Sequence, residues 1–140
     1  MAKRVMVLLG TKKGLFIAES DEARKDWSLR GPYCNTWPIN HAVADPATGA
    51  IHAAGGNEWF GPAVWTSMDL GETWTHSSEG LAYAEGEEPV ASAWSLAPGH
   101  GGLYAGVQPA GLFHSTDGGK GWSHVQGLRD HPTRPHWNPG

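Results

Sequence analysis

Apolar positions along the chain gather in short runs broken by glycine and by charge. The first, Val5 to Leu9, stops at Gly10 and is answered by Lys12 and Lys13; it is too short for a signal-peptide core and reads as a strand. Similar runs fall at 50–54, 63–66, 103–106 and 111–115, with further strands expected at 41–45, 73–77, 93–97 and 121–126. Long helices are not expected, and no stretch approaches the roughly 20 apolar residues needed to cross a bilayer.

These runs repeat. Ser67-Met68-Asp69-Leu70-Gly71-Glu72-Thr73-Trp74 and Ser115-Thr116-Asp117-Gly118-Gly119-Lys120-Gly121-Trp122 share the pattern S-x-D-x-G-x-x-W, displaced by 48 positions (115 minus 67). Ala63-Val64-Trp65-Thr66 precedes the first box as Gly111-Leu112-Phe113-His114 precedes the second, and Gly80-Leu81 and Gly127-Leu128 follow them. Further upstream, the match of 49–55 to 101–107 has a displacement of 52, so the first unit carries about four more residues, assigned to a longer loop at 57–62. A third copy opens the chain: Val7-Leu8-Leu9-Gly10 and Gly14-Leu15-Phe16 echo the later strands, and Trp27 stands 47 before Trp74. Its box is lost, because Ser20-Asp21-Glu22-Ala23 lacks the glycine.

Units of roughly 40–50 residues with four short strands mark propeller blades. The expected fold is therefore all-β: a partial β-propeller of about three antiparallel four-stranded blades, at about 3–32, 39–80 and 91–128, followed by a tail at 129–140. The first blade is incomplete and lacks its innermost strand, which the carboxy-terminal end of a chain usually donates in propellers that close by strand exchange. Three blades cannot close a ring of roughly four to eight. Missing blades are expected from the rest of a longer chain, the favoured reading, or from a second copy.

Composition agrees. Among 140 residues, 20 glycines, 10 prolines and 8 tryptophans suit short strands, tight turns and large rings between sheets. A net charge of -4 without a basic cluster gives no footprint for nucleic acid. A lone cysteine, Cys34, excludes an intrachain disulfide and is expected to be a packed thiol in a cytoplasmic protein. No membrane partner and no cofactor are expected.

In each box a short Ser or Asp side chain can accept bonds from backbone N–H groups at a tight turn, the glycine permits positive φ, and the tryptophan covers the hairpin. Ser67, Asp69, Gly71 and Trp74, with Ser115, Asp117, Gly119 and Trp122, are thus structural; regular repetition is what a stacking device shows. These boxes resemble those of the Asp-box, or bacterial neuraminidase repeat, superfamily of sialidase-like propellers, over about residues 5–128. The superfamily includes sialidases, photosystem assembly factors and sortilin-type receptors. The resemblance implies boxes on the rim away from the ligand site. It also implies, for a sialidase, three arginines holding a carboxylate, an Asp acid/base and a Tyr-Glu pair, with the first arginine in an Arg-Ile-Pro motif. No such motif is present: Arg4, Arg24, Arg30, Arg129 and Arg134 all lack those neighbours.

The expectation is a binding propeller, not itself a sialidase, that takes a glycan or protein on its loop face. The alternatives are a fragment of a glycoside hydrolase completed beyond residue 140, and an assembly factor resembling those of photosystems. Candidate ligand-binding residues are Asn57, Glu58 and Trp59 on the extra loop, with His41, Gln108, Arg134 and His136 on neighbouring loops; aromatic faces beside amide and acid groups suit a polar ring. Trp37, Trp94 and Trp137 are read as equivalent positions packed between blades. No catalytic residue is assigned, since Glu58 is one carboxylate where glycoside hydrolysis needs two. His41, His136 and Asp45 lack metal-ligand spacing, and 85–89 reads as a solvated acidic loop.

Overall fold

Each apolar run read as a strand pairs antiparallel with its neighbour in sequence. The computed structural model describes residues 3–137. Its first sheet holds β1 (Arg4–Thr11), β2 (Gly14–Asp21) and β3 (Ser28–Tyr33). The second runs β4 (Ile39–Ala44), β5 (Ile51–Asn57), β6 (Gly61–Ser67) and β7 (Thr75–Ser77); the third runs β8 (Ser92–Gly99), β9 (Gly102–Gln108), β10 (Gly111–Ser115) and β11 (Ser123–His124). The chain is all-β, a partial propeller of three blades with the first one strand short.

The sheets stack face to face. Leu15, Ile17, Ile39, Ala53 and Trp65 form the core between the first and second; Val64, Leu96, Ala105, Phe113 and Trp122 form it between the second and third. The middle sheet is therefore buried on both faces, which is why β5 reads as an unbroken run without alternation. Small residues, Ala53, Ala54, Gly55 and Gly56, let both neighbours approach, while β6 sends Trp65 to one side and Val64 to the other. Among the described residues no sheet covers the outward side of β1, where Val7 and Leu9 are each 41% exposed.

The two boxes close their hairpins with the same bonds. Ser67 donates to Asp69 Oδ1 at 2.8 Å and accepts the Gly71 N–H at 2.8 Å; Ser115 does the same with Asp117 at 2.8 Å and Gly119 at 2.9 Å. Asp69 Oδ1 then accepts the Thr73 N–H, and Asp117 Oδ1 the Gly121 N–H, each at 2.9 Å. Gly71 and Gly119 sit at φ of 92° and 89°, where a side chain is disfavoured.

The first blade corrects one expectation. Its box is altered but the turn survives: Arg24, 47 positions before Gly71, takes the positive φ (53°), and the Trp27 indole donates to the Arg24 carbonyl as Trp74 does to Gly71. Ser20 now bonds the Asp26 carbonyl, and Asp21 accepts the Ala23 N–H. Local side-chain bonds of this kind can hold a turn whose glycine is absent.

Most strand bounds also shift by a few residues. The strand expected at 121–126 is only Ser123–His124, because Gln126 opens a helical turn, α1 (Gln126–Arg129), closed by a bond from its side chain to Asp130. Between β3 and β4, Cys34, Asn35 and Thr36 all adopt positive φ (61°, 54° and 60°), a left-handed turn costing about 1–2 kcal/mol per non-glycine residue.

Two predictions follow from these turns. Hydrogen bonds from the Thr73 side chain, the Thr73 N–H and Ser67 hold Asp69 down to about 2, and bonds from Gly121 and Ser115 lower Asp117. A depressed carboxylate contributes stability above its unfolded pKa and loses it as pH falls through the folded value. The melting temperature should therefore drop between pH of about 4 and about 2, and the double variant Asp69→Asn/Asp117→Asn should show a shallower acid loss; a parallel pH curve would contradict this. Thr36→Gly should raise stability by about 0.5–1 kcal/mol in urea titration, since left-handed strain outweighs the added unfolded-state freedom.

Candidate functional site

The topology sorts the loops into two ends. Box turns and the β4–β5 and β8–β9 connections lie at one end; the β5–β6 and β9–β10 hairpins and the starts of β4 and β8 lie at the other. The candidates Asn57, Glu58, Trp59, His41 and Gln108 all fall at or near this second end.

The extra residues of the second blade do not make a longer loop. In both blades three residues separate the last paired positions, 58–60 and 108–110. The surplus lengthens the ladder instead: Ile51↔Ser67 to Asn57↔Gly61 is seven pairs, against five from Leu103↔Ser115 to Val107↔Gly111. Asn57, Gly61 and Pro62 are thus ladder residues, and the tip stands two rungs, about 7 Å, farther out than its counterpart. At the base, Gly56 has φ 118°, and a Cβ there would lie 2.0 Å from the Gly61 carbonyl oxygen, so no other residue lets the strands meet.

Asn57 shapes the tip, its Oδ1 accepting the Trp59 and Phe60 N–H groups at 3.0 and 2.9 Å. Glu58 is exposed and Trp59 is 90% exposed. Phe60 folds back and stacks on Trp37 at 4.4 Å, and Trp37 meets the buried Trp65 edge-on at 5.1 Å. This aromatic chain ties an exposed tip to the core between the first two sheets.

Trp37 thus packs as expected, but Trp94 and Trp137 do not share its position. Register slips once in each inner strand, leaving Asn40 unpaired in β4 and Trp94 unpaired in β8; Trp94 is the counterpart of Asn40. Its ring is 53% exposed, and its indole N–H donates to Gln108 Oε1 at 2.9 Å. Trp137 is 36% exposed and donates to Thr133.

Asn40 and His41 lace adjacent blades. Asn40 donates to Ser92 Oγ and the Ala93 carbonyl at 2.9 and 2.8 Å, Ser92 donates to the Gly56 carbonyl at 3.2 Å, and His41 Nδ1 accepts the Leu96 N–H at 3.0 Å. With Nδ1 accepting, the neutral His41 ring carries its proton on Nε2.

Arg134 is committed to the tail. Its Nε donates to the Ala110 carbonyl at 2.8 Å, and its guanidinium lies 5.7 Å from the Tyr83 ring, which Arg129 approaches at 4.4 Å. Tyr83 donates to the Pro109 carbonyl, and Arg129 pairs with Glu87. Tyr83 is the hub that sequence reading missed, since no motif marks it. His136 sits in the 3-10 turn Arg134–His136, its N–H bonded to the Thr133 carbonyl. Cys34 is buried, which pushes its thiol up to about 12 and makes it a poor nucleophile.

A cavity of about 1020 Å³ opens at the opposite, box end, between the second and third sheets. Ala47, Ala50, Val64 and Leu103 line it with His52 and Thr66; Asp117 and Gly119 of the second box border it, and it contains none of the candidate ligand-binding residues. Its polar groups largely satisfy one another: His52 Nδ1 meets Thr66 Oγ1 at 2.9 Å, and Ser77 donates to the Lys120 carbonyl. Burial lowers the His52 pKa, so the ring is held neutral. Among the described residues no group of three or more His, Cys, Asp or Glu could hold a metal, and no helix is long and apolar enough to cross a membrane.

No protein-family model matches the sequence, and no curated protein is significantly similar to it.

Removing the Asn57 carboxamide should release the tip without unfolding the sheet. Asn57→Ala is expected to speed hydrogen exchange at the Trp59 and Phe60 amides while leaving those of β5 protected; unchanged exchange at both would show that the Asx bonds do not hold the tip.

Proposed function

We propose that this chain is a sialidase-like Asp-box propeller protein that binds carbohydrate through its loop end and is not itself a sialidase. The observation carrying the proposal is Trp59, 90% exposed on a hairpin two rungs longer than its counterpart. An indole held out in water loses hydrophobic stabilisation unless something covers it, and a sugar ring can stack on its face while edge groups bond the hydroxyls. Asn57 and the Phe60–Trp37 stack hold the tip in place beforehand, which lowers the ordering cost of binding.

Binding is favoured over hydrolysis on two grounds. Glu58 is a single carboxylate at this tip, where bond cleavage needs a second across the sugar. Of the five arginines, Arg24 lies in the β2–β3 turn at the opposite, box end, and the other four are otherwise engaged: Arg4 and Arg30 pair with Glu19, and Arg129 with Glu87. Arg134 is bound to the Ala110 carbonyl. A cytoplasmic setting, read from the single cysteine, is part of the same proposal.

A glycan-array screen of wild type against Trp59→Ala tests this reading. Loss of one stacking platform should weaken the best-bound glycan by about tenfold; equal binding by the two proteins would remove the tip from the site.

A further inference from the structure

Resting on the carbohydrate reading, we infer that Trp94, on the inner strand β8 of the third blade, and Gln108, at the end of β9, form a second ring-binding subsite selective for an uncharged pyranose. Trp94 is the residue left out of the β8 ladder where the register shifts between Ala93 and Ser95. A bulge re-aims the side chain it carries. In β4 the corresponding Asn40 spends its amide on the next sheet; in β8 the position is an indole with half of its surface open.

Gln108 fixes that indole. Because the Trp94 N–H donates to Oε1 at 2.9 Å, the carboxamide is oriented by the indole and its NH2 group is left as a donor, with Gln108 itself exposed. The pair therefore offers a flat apolar face beside oriented N–H donors, both set before a ligand arrives. A pyranose matches this: its C–H face stacks on indole and an equatorial hydroxyl accepts from the amide.

The charge at this end selects among sugars. Trp94, Gln108, Asn40 and Ser92 are uncharged at neutral pH. The Arg134 guanidinium has its Nε bound to the Ala110 carbonyl and lies against Tyr83. Glu58 stands exposed on the adjoining hairpin, and the chain carries a net charge of -4. A carboxylated sugar would lose hydration here without gaining a bidentate partner, whereas a neutral one loses nothing comparable.

Calorimetric titration of the 140-residue chain with maltose, cellobiose, N-acetyllactosamine and 3′-sialyllactose separates this subsite from the hairpin tip. Wild type should bind at least one neutral disaccharide and should not prefer sialyllactose. Trp94→Ala and Gln108→Ala should each weaken neutral-sugar binding by about three- to tenfold. Trp94→Phe keeps a stacking face but loses the bond to Gln108, so it should fall between Trp94→Ala and wild type. Unchanged affinity in Gln108→Ala and Trp94→Phe, with loss in Trp59→Ala, would overturn the subsite and leave the carbohydrate reading standing. A preference for sialyllactose would overturn its neutral selectivity, and no binding of any sugar by wild type would overturn both.

Discussion

One serine hydroxyl per blade controls where each outer hairpin can vary. Ser67 and Ser115 each donate to the aspartate two residues on and accept a glycine N–H four residues on, so the turn that follows is fixed in shape and the strand before it is fixed in register. Ser67 faces Ile51 and Ser115 faces Leu103. With that end held, the four surplus residues of the second blade can only emerge at the other end, two on each strand. The antiparallel ladder divides them evenly because an uneven split would slip the register and turn Trp65 out of the core. The long tip is a consequence of the clamp at the opposite end.

The same clamp joins the blades. Each box leans on the sheet before it: Arg30 donates to the Leu70 carbonyl at 2.8 Å, and Ser77 to that of Lys120 at 2.6 Å. A Cβ on Gly71 would come within 2.4 Å of Ile17, so the glycine serves the turn and the close approach together. At the loop end the lacing is different, through Asn40, Ser92 and His41 on the inner strands. The second and third sheets are thus bonded at both ends, with their apolar residues between.

Spacing made the fold legible and hid part of the site. A displacement of 48 that holds from serine to tryptophan can only come from equivalent turns, and strand order followed from it. What counting cannot reveal is a change in backbone state. Arg24 carries a glycine's φ without being glycine, so the first box read as lost when its turn persists. Trp94 matches Asn40, not Trp37, because β4 and β8 each slip register once at the equivalent place, a paired bulge that leaves no mark in residue type. Extra residues were likewise assigned to a loop because sequence shows that they exist but not whether they pair. Tyr83 was missed for a further reason: its role depends on Arg129 and Arg134 returning from the tail, a contact across some fifty positions with no periodicity behind it.

The two ends differ chemically because their turns are built differently. At the box end the short polar side chains are consumed by turn formation, and the cavity there inherits groups already paired, such as His52 with Thr66. At the loop end the hairpins close largely through backbone geometry, with Asn57 as the main side-chain contributor to the second-blade tip. Indole faces and an amide are therefore left over. Trp59, Trp94 and Gln108 are exposed in a fold that buries Trp65 and Trp122 nearly completely. Exposed aromatic surface brings no folding stabilisation, and the fold does not require it at these positions. The carbohydrate recognition proposed for this end would give the arrangement a physical reason.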